Sequence, residues 1–224
     1  MRLLAIGDIH GCYDALKALE AAVPILPSDM VITLGDYVNR GPQSAQVIDW
    51  LLARHATGQL IPLLGNHELM MFAARDGGGP LTDWMSVGGD ATLRSYADAY
   101  RIRQLSDVPQ QHWKFLLDDL LPYYETKTHF FVHANAYPEY DLGVQPEYML
   151  YWQHLDNPRA HESGKIMICG HTSQKSGEIA NYGHTLCIDT WACGGKWLTC
   201  LDVATGKYWQ ANQQGDVRVR CLSN

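Results

Sequence analysis

An α/β sandwich, with two facing mixed sheets and helices outside them, is the fold class this sequence predicts. Three observations carry it. Short apolar runs alternate with amphipathic stretches through the first third of the chain, which is the signature of strand–loop–helix units. Each run ends in a glycine followed by a polar residue, such as Gly7-Asp8, Gly35-Asp36 and Gly65-Asn66. The second half then returns to short apolar runs separated by turn signals, which adds a second set of strands.

The elements follow in order. Leu3–Ile6 reads as a buried strand, and Leu16, Leu19 and Val23 mark the apolar face of a helix over 13–23. A strand over 30–34 precedes a helix over 44–54 that carries Val47, Ile48, Leu51 and Leu52. A strand over 60–64 precedes a helical segment over 68–74. Three such units in succession imply parallel strands joined by right-handed crossovers. After the break Gly77-Gly78-Gly79-Pro80, helices are expected over 90–99 and 110–120, as a helical insertion around 80–120 within one domain spanning 1–224. Strands resume at 130–132, Ile166–Cys169, 186–188, 197–201 and 208–210, with Ala204-Thr205-Gly206 as a hairpin turn.

Composition narrows the function classes. With 46% hydrophobic and 18% charged residues, the 224-residue chain can bury a sizeable core. Net charge is −7 and the 17 Lys and Arg form no basic run, so no nucleic-acid partner is expected. No stretch reaches the ~20 apolar residues of a membrane span. The apolar run at the N-terminus is cut short by Gly7-Asp8, so a cytoplasmic location is expected. The six cysteines form no C-x-x-C pair and are expected as buried, reduced thiols.

Five segments place metal-capable side chains just after apolar strands: Gly7-Asp8-Ile9-His10-Gly11, Gly35-Asp36, Gly65-Asn66-His67-Glu68, Val132-His133-Ala134 and Gly170-His171-Thr172. Any one alone is better read as turn chemistry. Six oxygen and imidazole donors, each beside a small residue, have no common structural explanation. Asp8 and His10, two apart in an extended turn, can face one divalent ion, while Asn66, His133 and His171 surround a second. Asp36 between them would bridge ions ~3.5–4 Å apart, as in-line phosphoryl displacement requires. Manganese suits the donors, with iron or zinc as alternatives. The nucleophile would be hydroxide bridging the ions, with His67 as general acid and Arg40 on the phosphate oxygens.

The segments GDIHG, GDYVNRG, GNHE, the histidine after FFV, and GHT occur in the order of the PPP signature. The chain thus resembles the serine/threonine phosphatase-like branch of the calcineurin-like metallophosphoesterases, of the bacterial and phage kind. The resemblance implies the same ligand set, and two departures bear on mechanism. The family's aspartate beside the catalytic histidine is Asn39 here, whose carbonyl can accept the histidine proton but brings no charge to raise the imidazole pKa. The family's second phosphate-binding arginine has only Arg159 to match it, with His154 as the alternative occupant.

The expected substrates are phosphomonoesters: aryl phosphates, or phosphorylated Ser, Thr or Tyr of a phosphoprotein. Dinucleoside polyphosphate hydrolysis is the second enzyme reading, because relatives with that activity also lack the aspartate. A weakly active phosphate-binding module is the third. Gly183-His184-Thr185 repeats the GHT wording, but Gly170-His171-Thr172 is preferred because a buried strand feeds it. Trp191, Trp197, Tyr208 and Trp209 are expected as strand packing, with Trp191 placed to line a pocket mouth.

Overall fold

Alternation along the strands decides which side chains lie between the sheets. In the computed structural model, which describes residues 2–96 and 104–222, the first sheet is six-stranded with order β11-β10-β9-β1-β2-β3. Its strands are β1 (Leu3–Ile6), β2 (Met30–Thr33), β3 (Leu60–Pro62), β9 (Leu198–Asp202), β10 (Lys207–Ala211) and β11 (Val217–Cys221). β1, β2 and β3 pair in parallel and β9 to β11 are antiparallel, so the sheet is mixed. The second sheet has order β4-β5-β6-β8-β7, from β4 (Tyr123–Glu125), β5 (His129–Val132), β6 (Ile166–Cys169), β7 (Ala180–Asn181) and β8 (Thr185–Cys187).

Ala5, Ile32, Leu201 and Tyr208 of the first sheet pack with Phe131, Ile168 and Leu186 of the second. Their neighbours Leu4, Ile6, Val31, Cys200 and Trp209 point the other way, into a core shared with helices α1 (Tyr13–Ala22) and α2 (Ser44–Ala56). Phe130, Val132, Met167 and Cys169 likewise turn outward onto Leu150 and Tyr151 of α7 (Glu147–Tyr151). The period of two thus produces the expected sandwich.

Between the sheets in chain order lie α3 (Asn66–Asp76), α4 (Leu81–Trp84) continued by the π turn Met85–Gly89, α5 (Asp90–Tyr96) and α6 (Gln110–Asp118). The helix expected over 90–99 is seen to Tyr96, and residues 97–99 lie outside the described residues. The helix expected over 68–74 begins two residues earlier, at Asn66. Gly65 precedes it with extended backbone, and its N–H is taken by Glu68 Oε2 at 3.1 Å, a start with no capping side chain at the first position. β4, β7 and β11 were not foreseen, being very short or, in β11, Val alternating with Arg at an exposed edge.

The six cysteines are unpaired, four of them buried. Among the described residues no helix is long and apolar enough to cross a membrane.

Candidate active site

The six strands with parallel partners, β1, β2, β3, β5, β6 and β8, deliver their following residues to one edge of the sandwich. Those residues are Asp8 and His10, Asp36, Asn66 and His67, His133, His171 and Asp189. Of the seven non-glycine residues with positive φ among the described residues, five are His10, Asp36, Asn39, Arg40 and His171. Left-handed backbone is costly for side chains of this size, and its concentration here marks a site over-determined by its surroundings. Gly170 shows why small residues flank it: a Cβ there would lie 2.0 Å from Asp8 Oδ1.

Hydrogen bonds fix the histidine tautomers. His10 Nδ1–H donates to Val38 O at 2.9 Å, His133 Nδ1–H to Leu34 O at 2.7 Å, and His171 Nε2–H to Trp152 O at 3.1 Å. The other nitrogen of each ring therefore carries a lone pair, and all three lone pairs turn inward. His10 Nε2 lies 3.3 Å from Asp36 Oδ2, and His133 Nε2 lies 3.5 Å from Asp36 Oδ1. Asn66 Oδ1 lies 3.0 Å from His133 Nε2 and 3.2 Å from His171 Nδ1. Apart from the Arg40 N–H on His10 Nε2, these are acceptors converging on acceptors, which is the electrostatics of a cation site.

Asp36 turns one carboxylate oxygen to each of two donor groups, His10–Asp36–His67 and Asp36–His133–His171, each with ligand atoms within 4.8 Å of one another. Asp8 Oδ2 accepts the His171 backbone N–H at 3.0 Å, while its buried Oδ1 has no hydrogen-bond partner among the described residues. An orphaned buried carboxylate oxygen beside convergent imidazoles fits a divalent metal.

Burial and mutual repulsion set the charges. Desolvation, with Asp189 and Asp36 adding to it, pushes the Asp8 carboxyl well above the usual carboxylate range. Desolvation also pushes Asp36 up to about 7. It lowers His10 strongly, His133 to about 4 and His171 to about 3, so these rings are neutral and ligand-competent at neutral pH.

His67 differs from the ligating histidines. Its Nδ1 lies 2.7 Å from Asn39 Nδ2, while Asn39 Oδ1 accepts the Thr92 hydroxyl at 3.0 Å. The sequence expectation that the Asn39 carbonyl receives the histidine proton is corrected: Thr92 occupies that carbonyl, so the amide donates. The neutral His67 ring then holds its proton on Nε2, which faces Asp36 Oδ2 at 3.9 Å. That tautomer turns an N–H, not a lone pair, toward the first donor group. Arg40 Nη1 donates to His10 Nε2 at 2.9 Å, and the guanidinium lines the cavity mouth.

Sequence reasoning missed three groups. Glu68 accepts backbone N–H bonds from Asp36, Tyr37, Val38 and Gly65, at 2.8–3.2 Å, and so clamps the Asp36 turn to the start of α3. Its fixed place in GNHE was the available signal. Asp189 follows a strand just as Asp36 does; its Oδ2 takes the Ser173 hydroxyl at 2.6 Å. Thr92, on α5, had no sequence signal.

The donors open into a cavity of about 900 Å³ whose outer wall includes Trp152, His154, Lys175, Trp191 and Cys193. His154 packs against the His171 ring, with centroids 4.7 Å apart and the planes tilted by 34°. Arg159 is not brought there: it is exposed and paired with Glu139 in a separate surface depression. His184 bonds Thr185 and stands apart from both donor groups. Tyr208 and Trp209 are buried strand residues, and Trp191 lines the cavity, both as expected.

The chain matches the calcineurin-like phosphoesterase family over residues 1–189. It is 35% identical over 148 residues to the symmetrical bis(5'-nucleosyl)-tetraphosphatase of Pseudomonas putida (strain W619), covering 64% of this chain and 45% of that protein. The corresponding protein of Paracidovorax citrulli is 52% identical over 80 residues, 34% of this chain and 27% of the relative. The matches therefore span less than half of the length of these curated relatives. Among solved structures, one assigned as a diadenosine tetraphosphatase has TM-score 0.66 at 18% identity, covering 100% of this chain and 94% of that one. A cold-active protein-tyrosine phosphatase from a psychrophilic Shewanella has TM-score 0.63 at 17% identity, covering 97% and 80%. At these identities the two structures show the shared fold.

Proposed function

The chain belongs to the calcineurin-like phosphoesterase family, and on that premise we propose that it is a two-metal hydrolase of phosphoanhydrides in nucleoside polyphosphates. The observation that carries the metal reading is the inward convergence of the His10, His133 and His171 lone pairs on Asp36 and Asn66. Asp8, His10 and Asp36 would hold one divalent ion, and Asp36, Asn66, His133 and His171 the other. Divalent ions bound there supply Lewis-acid charge neutralisation for in-line displacement at phosphorus. Manganese is the first ion to test, with iron and zinc after it.

The chain's own residues then divide the work. Arg40 offers a planar guanidinium at the cavity wall for two phosphate oxygens. Glu68 holds Asp36 in its left-handed turn. His67 presents Nε2–H from a neutral ring, which is a weak acid because the Asn39 amide donates to Nδ1 where a carboxylate would accept.

That weakness favours the anhydride. An alkoxide leaving group needs a proton early, whereas a leaving phosphate has a pKa near ~6 and departs without one. The names of the relatives at 35% and 52% identity point the same way. Aryl phosphate monoesters, whose leaving groups are also stable anions, remain the second reading, favoured by Glu68 in the GNHE segment. The test compares manganese-loaded protein on diadenosine tetraphosphate and on p-nitrophenyl phosphate. The expected result is a higher kcat/KM for the dinucleotide. Faster monoester hydrolysis reverses the substrate reading, and no turnover of either compound by metal-loaded protein sinks the hydrolase.

A further inference from the structure

The loop after β8 is built around a strained tryptophan. Trp191 takes φ 64° and ψ 47°, a left-handed conformation that a bulky residue adopts only where its surroundings force it. Asp189 Oδ1 receives its backbone N–H at 3.0 Å, and its carbonyl receives the N–H groups of Gly194 and Lys196, each at 3.1 Å. Gly194 forms a floor under the ring: a Cβ at that position would lie 2.0 Å from an indole carbon. The backbone therefore holds the indole by one side while the half-buried residue lines the cavity that contains Asp36, Arg40 and His67. Lys175 lines the same cavity, its ammonium 5.8 Å from the indole centroid, at the outer limit of cation–π contact.

A rigid aromatic plane and a cation beside a phosphoryl-transfer centre match a ligand with a flat base at one end and a chain of phosphates. We propose that Trp191 is the stacking platform for the nucleobase of the substrate, with Lys175 contacting phosphates beyond the one attacked. This rests on the nucleoside polyphosphate reading given above and adds to it the residues that select for the base.

Calorimetry with ADP and with inorganic pyrophosphate tests it in the manganese-loaded protein, since the two share phosphates and differ in the nucleoside. Trp191→Gly keeps the left-handed backbone, which glycine prefers, and removes the plane. ADP affinity should fall on the order of tenfold in Trp191→Gly, recover in Trp191→Phe, and leave pyrophosphate affinity unchanged. Lys175→Gln should weaken both ligands. Unchanged ADP affinity in Trp191→Gly, an equal loss for both ligands, or no ADP binding by the parent protein overturns the platform. Cleavage of diadenosine tetraphosphate, read in parallel, separates the two claims. A protein that binds ADP through Trp191 but cleaves no anhydride keeps the platform and loses the proposed reaction.

Discussion

The inner cradle and the outer wall of the cavity are built on opposite terms. In the cradle each histidine spends one nitrogen on a fixed partner, Asp8, Asp36, Asn66 and His67 are buried, and left-handed backbone is concentrated. The wall is looser apart from Trp191, which Asp189 and Gly194 pin: Trp152 is 39% exposed and Lys175 is exposed, 5.8 Å from the Trp191 ring. Chemistry on phosphorus requires donors fixed to a fraction of an ångström, whereas substrate selection tolerates side chains that adjust. On the proposed function, reaction class is set by the cradle and substrate by the wall.

This contrast can be broken at either end. Asp36→Asn removes the charge that faces both donor groups and should abolish turnover, exceeding the roughly 10–100-fold loss typical of outer-shell changes at metal sites. A steady-state assay with saturating manganese checks it, and retention of more than a tenth of the activity refutes the bridging role.

A smaller effect, in the opposite direction, is expected at Asn39. Asn39→Asp supplies an acceptor for Nδ1–H and allows His67 to act as an imidazolium. kcat/KM for phosphate esters with poor leaving groups should rise about tenfold, with little change for anhydrides. A set of aryl phosphates of graded leaving-group pKa reads this directly. A uniform change across the set contradicts the weak-acid argument.

The cradle's buried acids give a pH signature in chelated protein. Asp36 is raised from 3.8 to about 7, and Glu68, by burial and by Asp36, from 4.5 to about 8. A carboxyl raised on folding contributes stability while protonated. That contribution is whole below about pH 4 and is lost as pH rises toward 8. The buried histidines, lowered by the same desolvation, oppose this below their unfolded value of 6.5, so thermal unfolding with a chelator should show Tm falling from pH 7 to 8, and a divalent ion should restore most at the alkaline end. A chelated protein whose Tm rises from pH 7 to 8 contradicts this. Arg159→Ala, outside the cavity, should leave kcat/KM within about twofold and stability within ~0.5 kcal/mol.

Legibility in the sequence followed the same division. Apolar runs ending in Gly-Asp, Gly-Asn or Gly-His announced the strands and the polar residues beyond them, because period-two burial and tight turns leave local marks. β11 escaped because an exposed edge strand carries no apolar alternation with a buried face. The start of α3 at Asn66 escaped because Glu68 reaches back to Gly65 in place of a capping side chain at the first position. Thr92 reaches Asn39 across 53 residues, a pairing no local pattern encodes, and it reversed the expected orientation of the Asn39 amide. Trp191 was legible as a pocket-mouth residue from its place just after Asp189-Thr190; the left-handed turn that carries it there was not.

The central claim is that inward lone pairs on His10, His133 and His171, with Asp36 between them, form a two-ion site. Metal content after equilibration with manganese and gel filtration, measured for the parent protein and for His133→Ala, tests it most directly. Two ions per chain are expected in the parent and about one in the variant. Fewer than one ion in the parent, or two retained in both proteins, would contradict it.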